Sequence, residues 1–234
     1  MLFGWFYYDW TVLIVMPAFL FSLWAQAKVR SSFDRYSAVR VSAGLTGAMA
    51  ARRILDANGL YHVGIERVRG SMTDYFDPRT NTVHLSETVH DVSSIAAVGV
   101  AAHEVGHAIQ HARGYFPIKV RMAIIPITKF GSMLAMPLFI LGLILANEAF
   151  LVFGILLYAT VALFQLVTLP VEFNASKRAV QTLSGERMLV GEELKGARDV
   201  LSAAAMTYVA ALATSLLTLL RLIVLAGGTN NRRR

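Results

Sequence analysis

Four stretches of the chain carry no Asp, Glu, Lys or Arg: 10–27, 130–147, 149–171 and 200–220, of 18, 18, 23 and 21 residues. A helix that crosses the hydrocarbon core of a bilayer needs about 20 mostly apolar residues, so each stretch is long enough to span or nearly span it. Between the first and second lies a polar block, 28–129, long enough to fold as a small domain with its own core. A second polar stretch, 172–199, is too short to fold alone. The pattern predicts an α-helical membrane protein with a small α+β domain and three or four transmembrane helices. Its expected segments are an N-terminal membrane anchor (1–27), the polar domain (28–129), a transmembrane helical hairpin (130–171), a further helix (172–199), and a C-terminal transmembrane or membrane-associated helix with a basic tail (200–234).

The first apolar stretch reads as a retained anchor rather than a cleaved signal peptide. Its basic residues, Lys28, Arg30, Arg35 and Arg40, follow the apolar run instead of preceding it, and Ala25-Gln26-Ala27 is a weak cleavage match. Positive charge after the first span places the N-terminal tail outside and block 28–129 in the cytoplasm, in a multi-pass protein of the cell membrane. Trp5, Tyr7, Tyr8 and Trp10 at one end and Trp24 at the other resemble interfacial aromatic belts. Residues 115–129 mix apolar and basic positions and are expected at the membrane surface. Only Asn147-Glu148 parts the second and third stretches, which makes a tight hairpin and returns residue 172 to the side of residue 114. If the fourth stretch also spans, Arg232, Arg233 and Arg234 lie outside, against the positive-inside trend, and Arg221 must snorkel. A three-span arrangement avoids both.

Within the polar block, Thr46 is a plausible N-cap for a helix that stops at Asn58-Gly59. Tyr61–Val68 alternates apolar and polar positions. Met72–Phe76 and Thr82–Leu85 flank Asp77-Pro78-Arg79-Thr80-Asn81, a turn with Pro in a favoured place, so a small sheet with a hairpin is expected. Asp91-Val92-Ser93-Ser94 then supplies N-cap residues for an apolar helix from about Ser94 to Ala112, ending at Gly114.

Composition agrees: 56% of the residues are hydrophobic and 16% charged, against about 25% charged in a typical soluble domain. The absence of cysteine excludes a disulfide framework, a thiolate zinc site and a cysteine nucleophile. The net charge of +7 does not point to nucleic acid, because the basic residues form no single stripe and flank the apolar segments, where anionic headgroups account for them. No nucleic-acid recognition motif is present.

On the apolar helix of the polar block stands His103-Glu104-Val105-Gly106-His107. Histidines four apart lie one turn apart on one face, so both imidazoles can reach one ion at about 2.0–2.1 Å. Glu104 falls beside them, where a carboxylate can take a proton from a metal-bound water. The competing interpretation is a pair of core histidines that satisfy hydrogen bonds, but with six His in the chain a chance match is rare. Gly106 weakens the helix and so points to close packing beside the ligands.

A catalytic zinc takes three protein ligands and keeps an open position. His111 stands eight residues from His103, a rise of about 12 Å, too far for His103, His107 and His111 to share an ion. It suits the helix C-terminus instead. His62, His84 and His90 are isolated and read as structural, with a place near the cleft as the alternative for His84. Among downstream carboxylates Glu172, after Leu169-Pro170-Val171, is best placed, because the hairpin returns it to the side of the histidine helix and Pro170 can open a new helix there. The alternative for Glu172 is an ordinary interfacial charge. Glu186, Glu192 and Glu193 sit in an exposed-looking segment.

Ala101–His111 together with Leu169-Pro170-Val171-Glu172-Phe173-Asn174-Ala175-Ser176 resembles the YugP-type membrane zinc metallopeptidase family. Gly44-Leu45-Thr46-Gly47, Arg53-Ile54-Leu55-Asp56 and Asp77-Pro78-Arg79 carry the same resemblance, which covers almost the whole chain. More distantly, the Glu172 segment is similar to that of the HtpX and CaaX-prenyl-protease gluzincins. The resemblance implies a zincin-like, minimal gluzincin domain, a single Zn2+ held by His103, His107 and Glu172, and a zinc metalloendopeptidase. In the wider group an aspartate four residues after the glutamate supports a ligand histidine. Here that position is Ser176, so the support differs.

The expected reaction is peptide hydrolysis with Glu104 as general base. Arg178, Asn174, His84 and Tyr75 are candidate oxyanion donors, and the edge of strand Thr82–Leu85 is a candidate seat for an extended substrate. Expected partners are the lipid bilayer and protein or peptide substrates, membrane proteins among them, with no nucleic acid. The alternative is a zinc-binding membrane scaffold or chaperone-like protein without proteolytic activity. A transporter is the weakest alternative, since the four stretches hold no ionisable residue from which to build a polar pathway.

Overall fold

The computed structural model describes residues 9–231. Trp5, Tyr7 and Tyr8, and Arg232, Arg233 and Arg234, on which two expectations rested, lie outside them. The described chain runs α1 (Val12–Ser37), α2 (Gly47–Ala57), β1 (Gly64–Val68), β2 (Tyr75–Asp77), β3 (Thr82–Ser86), α3 (Ile95–Ala112), α4 (Phe116–Ile144), α5 (Glu148–Gly185) and α6 (Gly191–Asn231). The protein is mostly helical with one small sheet. It divides into two compact units: 1–24 with 120–169 and 208–234, and 25–119 with 170–207.

Among the described residues, four helices are long and apolar enough to cross a membrane: Val12–Ser37, Phe116–Ile144, Glu148–Gly185 and Gly191–Gly228. Each runs through a boundary that hydropathy suggested. Segment 115–129 is not a separate element, because α4 continues unbroken from Phe116 across Pro126 and Pro137. Pro170 opens no new helix either; α5 carries it inside 38 continuous residues. The helix expected over 172–199 breaks at 186–190, where Arg187 takes φ +50°, and α6 starts at Gly191. Charge content marks where a helix meets polar surroundings, whereas helix ends are set by turn and cap residues, and the two differ by a turn or more here.

The first unit buries little, as expected of helices that face lipid. Leu13, Phe19, Phe130, Met133, Phe153 and Leu156 are all exposed. The α4–α5 hairpin turns at Ala146 (φ +51°), and Asn147 Oδ1 accepts from Phe150 N at 3.3 Å to cap α5. A Cβ at Gly154 would stand 2.8 Å from Phe139 Cβ, so the absence of a side chain there lets the two helices approach. Arg221 does not snorkel. Its Nη2 donates to Asp9 Oδ2 at 2.5 Å and its Nε to Thr11 Oγ1 at 3.1 Å, which answers the Arg221 objection to a fourth span.

The second unit holds the core, in which Ile54, Leu55, Val83, Leu85, Val105 and Leu183 are almost fully buried. Thr46 caps α2 by accepting from Met49 N at 3.3 Å. The buried α2 positions, Gly47, Ala50, Ala51, Ile54 and Leu55, repeat at helical spacing and form one face. Ser94 caps α3 through Ala97 N at 3.2 Å, and Gly114 follows α3 at φ +61°. The hairpin β2–β3 forms around the expected turn, where Asp77 Oδ1 accepts from Arg79 N at 2.9 Å. Strand order is β1-β3-β2, with β1 parallel and β2 antiparallel to β3. The expectation that Thr82–Leu85 offers a free edge is therefore wrong: β3 is central, and the open edge beside the hairpin belongs to β2.

Candidate metal centre

Thr82–Ser86 alternates so that Val83 and Leu85 enter the core on which α3 packs. His84 therefore lies on the opposite face of the sheet. There it is in register with Glu66 and Tyr75 and stacks on the Tyr75 ring at 4.5 Å. That placement puts His84 and Tyr75 on the sheet face away from the core.

The helix α3 presents His103 and His107 one turn apart, their rings 4.8 Å between centroids and nearly perpendicular. Across from them, α5 presents Glu172. Its Oε2 lies 3.2 Å from His103 Nε2 and 3.5 Å from His107 Nε2. The Glu172 side chain is 2% exposed and the two imidazoles 12% and 11%. Among the described residues these three form a group whose ligand atoms all lie within 4.8 Å of one another. Ligands at about 2.0–2.2 Å around a tetrahedral ion stand about 3.4 Å apart, which is close to the separations found. Two imidazole nitrogens and one carboxylate oxygen are also a donor set that zinc accepts.

Gly106 makes the approach possible. A Cβ there would stand 2.8 Å from the Ala175 carbonyl oxygen and 3.2 Å from its Cα. The two helix backbones therefore meet between the histidines and the glutamate, as the glycine beside the ligands suggested.

Hydrogen bonds fix how the imidazoles are presented. Gln110, fully buried, donates from Nε2 to the Val171 carbonyl at 2.8 Å and to Asn174 Oδ1 at 3.0 Å. A carbonyl can only accept, so the other end of the amide, Oε1, must face His107 Nδ1, 3.1 Å away. His107 then carries its proton on Nδ1 and leaves the Nε2 lone pair for an ion. Asn174 is oriented in turn by Arg178, whose Nε donates to Oδ1 at 2.7 Å. Asn174 and Arg178, expected as candidate oxyanion donors, thus serve the orientation of His107. Ser176 Oγ stands 3.1 Å from His103 Nδ1, at the position where the resemblance placed an aspartate.

Glu104 lies beside the two histidines. Burial pushes its carboxyl above the ordinary value, against the pull of His103 and His107, and Glu172 and Asp74 add to the rise. Burial alone would lower the His107 imidazole, but its bond to Glu172 and the charge of Glu104 hold it above its ordinary value. Asp74 accepts from Ser86 N at 2.7 Å and Ser86 Oγ at 3.0 Å, and burial raises its carboxyl too.

The other candidates are engaged elsewhere. His111 lies at the end of α3 with its ring 5.9 Å from that of Phe76. His90 Nδ1 is 2.7 Å from Asp91, and His62 is exposed. Glu193 accepts from Ser42 N at 2.8 Å, Glu192 pairs with Lys195 at 3.3 Å, and Glu186 is exposed. Sequence reasoning missed Gln110. Its signal was a polar residue three positions after His107, on the ligand face of an apolar helix.

Comparison with known proteins agrees with this geometry. Residues 11–227 match a family described as "Putative neutral zinc metallopeptidase". The "Putative membrane protease YugP" of Bacillus subtilis (strain 168) is 48% identical over 214 residues, which cover 92% of this chain and 95% of that protein. No solved structure matches the chain.

Proposed function

Because the chain belongs to the family described as "Putative neutral zinc metallopeptidase", we propose that it is a membrane-bound zinc metalloendopeptidase of gluzincin type. His103, His107 and Glu172 hold one zinc ion in this proposal, and Glu104 is the general base. The observation that carries it is the convergence of two imidazole nitrogens from α3 and a carboxylate oxygen from α5, all within 4.8 Å of one another, beside a second carboxylate that burial makes easier to protonate.

Zinc bound there supplies Lewis acidity, which polarises a carbonyl and makes water a stronger acid near pH 7. The Glu104 carboxylate accepts the proton of the attacking water and passes it to the leaving amine, and its raised affinity for a proton suits both steps. Gln110 keeps His107 in one tautomer, and Ser176 hydrogen-bonds to His103 Nδ1. An extended substrate adds to the open edge of β2, where backbone groups of Tyr75–Asp77 pair with it. Basic residues after the first apolar stretch support a cytoplasmic position for the 28–129 block in this proposal. Substrates are then protein segments that reach a membrane-held site from the cytoplasm.

The test is Glu104→Gln in the purified full-length protein. It is expected to retain zinc at the wild-type ratio and to lose cleavage of an unfolded test protein by a factor of at least about a hundred. Persistent cleavage removes Glu104 from the mechanism. Zinc binding with no cleavage by the wild type identifies the non-proteolytic zinc protein instead.

A further inference from the structure

A groove of about 380 Å³ lies between the polar ends of α5 and α6, on the part of the second unit that adjoins their charge-free stretches. Its walls are apolar over Phe173, Val180, Leu201 and Ala205, and it carries two cations, Lys177 and Arg198. No carboxylate lines it. The carboxylates nearby in the sequence are already engaged: Asp199 accepts from the Tyr36 hydroxyl at 2.8 Å, Glu192 pairs with Lys195 at 3.3 Å, and Glu172 faces the histidines. Lys177 and Arg198 are both exposed and without an ion-pair partner among the described residues.

Their depth along the helices is the second observation. The charge-free stretch of α5 ends at Val171 and that of α6 begins at Val200. At 1.5 Å per residue Lys177 lies about 9 Å beyond the first limit and Arg198 about 3 Å beyond the second. The headgroup layer on each side of a bilayer is about 5–8 Å thick. Arg198 therefore starts within the headgroup layer and Lys177 just past it, from where its long side chain can reach back, while Phe173 stands nearer the bilayer than Lys177 and Leu201 and Ala205 lie inside the charge-free stretch. We propose that this groove binds one anionic phospholipid, with its phosphate between Lys177 and Arg198 and an acyl chain along Phe173, Leu201 and Ala205. The charge pattern selects an anion, and the apolar wall toward the bilayer selects a lipid over a free phosphate. The site is independent of the peptidase reading, and its test requires no cleavage.

The test uses the full-length protein in detergent, with phosphatidylglycerol and phosphatidylcholine competing for it and bound lipid read by native mass spectrometry. Wild type is expected to prefer phosphatidylglycerol. The double variant Lys177→Gln/Arg198→Gln is expected to bind it about thirty-fold more weakly, while Lys195→Gln, a cation outside the groove, changes binding by less than about two-fold. Ser202→Phe keeps both cations but fills the groove, and is expected to lose the lipid as well. Equal binding of the two lipids by wild type overturns the proposal, as does a double variant that behaves like Lys195→Gln or a Ser202→Phe that retains the preference. Displacement of phosphatidylglycerol by inorganic phosphate at equal concentration identifies a phosphate site instead and also overturns it. So does an absence of bound lipid in the wild type together with retention of an acidic peptide that the double variant loses, read by the same mass spectrometry.

Discussion

Gln110 has three partners within 3.1 Å and no exposure, so its amide cannot rotate without breaking two or more hydrogen bonds in a buried place. Its effect on zinc is exerted through His107. Gln110→Leu keeps the volume and removes the constraint on the imidazole tautomer, and is expected to weaken zinc binding about 10- to 100-fold in chelator competition. Unchanged affinity would show that His107 needs no such support. A different residue sets a pH dependence. Burial raises Asp74 in the folded protein, so the folded state holds this proton more tightly than the unfolded one and gains stability as pH falls through the raised value. Asp74→Asn can still accept from Ser86 N. Its Tm relative to wild type is expected to be higher at neutral pH and to fall as pH drops toward about 4, the ordinary carboxyl range. A constant difference would contradict the assignment. His103, Glu104 and His107 were legible as candidates because one helix carries them at a fixed spacing. Gln110 and Ser176 were not, because their meaning depends on where α5 passes.

At the level of elements, the close crossing of α3 and α5 decides whether Glu172 meets the histidines. A methyl group at position 106 would collide with backbone, not with a flexible side chain, and overpacking of this kind costs about 1–3 kcal/mol. Gly106→Ala is expected to lower Tm and to weaken zinc binding together. A variant that folds with wild-type zinc affinity would show that the helices have room to separate. The hydrophobic pattern located the apolar stretches, the capped helix α2 and the β2–β3 hairpin, since caps and turn residues are local signals. It misplaced the ends of α4 and α5, because proline tolerated inside a long apolar helix looks in sequence like a boundary. It also left β3 as an edge, since the parallel pairing with β1 joins residues far apart in sequence and leaves no local mark.

For the whole molecule the question is orientation. Four candidate spans among the described residues, with Arg221 paired to Asp9, fit an even number of crossings. The absence of native cysteine allows the orientation to be read from single introduced thiols. Tyr61→Cys, in the polar block, is expected to resist a membrane-impermeant maleimide in intact cells, and Leu145→Cys, in the hairpin turn, to react. The reverse pattern would put the peptidase reading on the outer face. The most direct test of the central proposal, that α5 closes a zinc site begun on α3, is the metal content of purified Glu172→Ala beside wild type and Glu104→Gln. Wild type and Glu104→Gln are expected to carry about one zinc per chain, and Glu172→Ala to lose it during purification. Zinc retained by Glu172→Ala at the wild-type ratio would contradict the role given to α5.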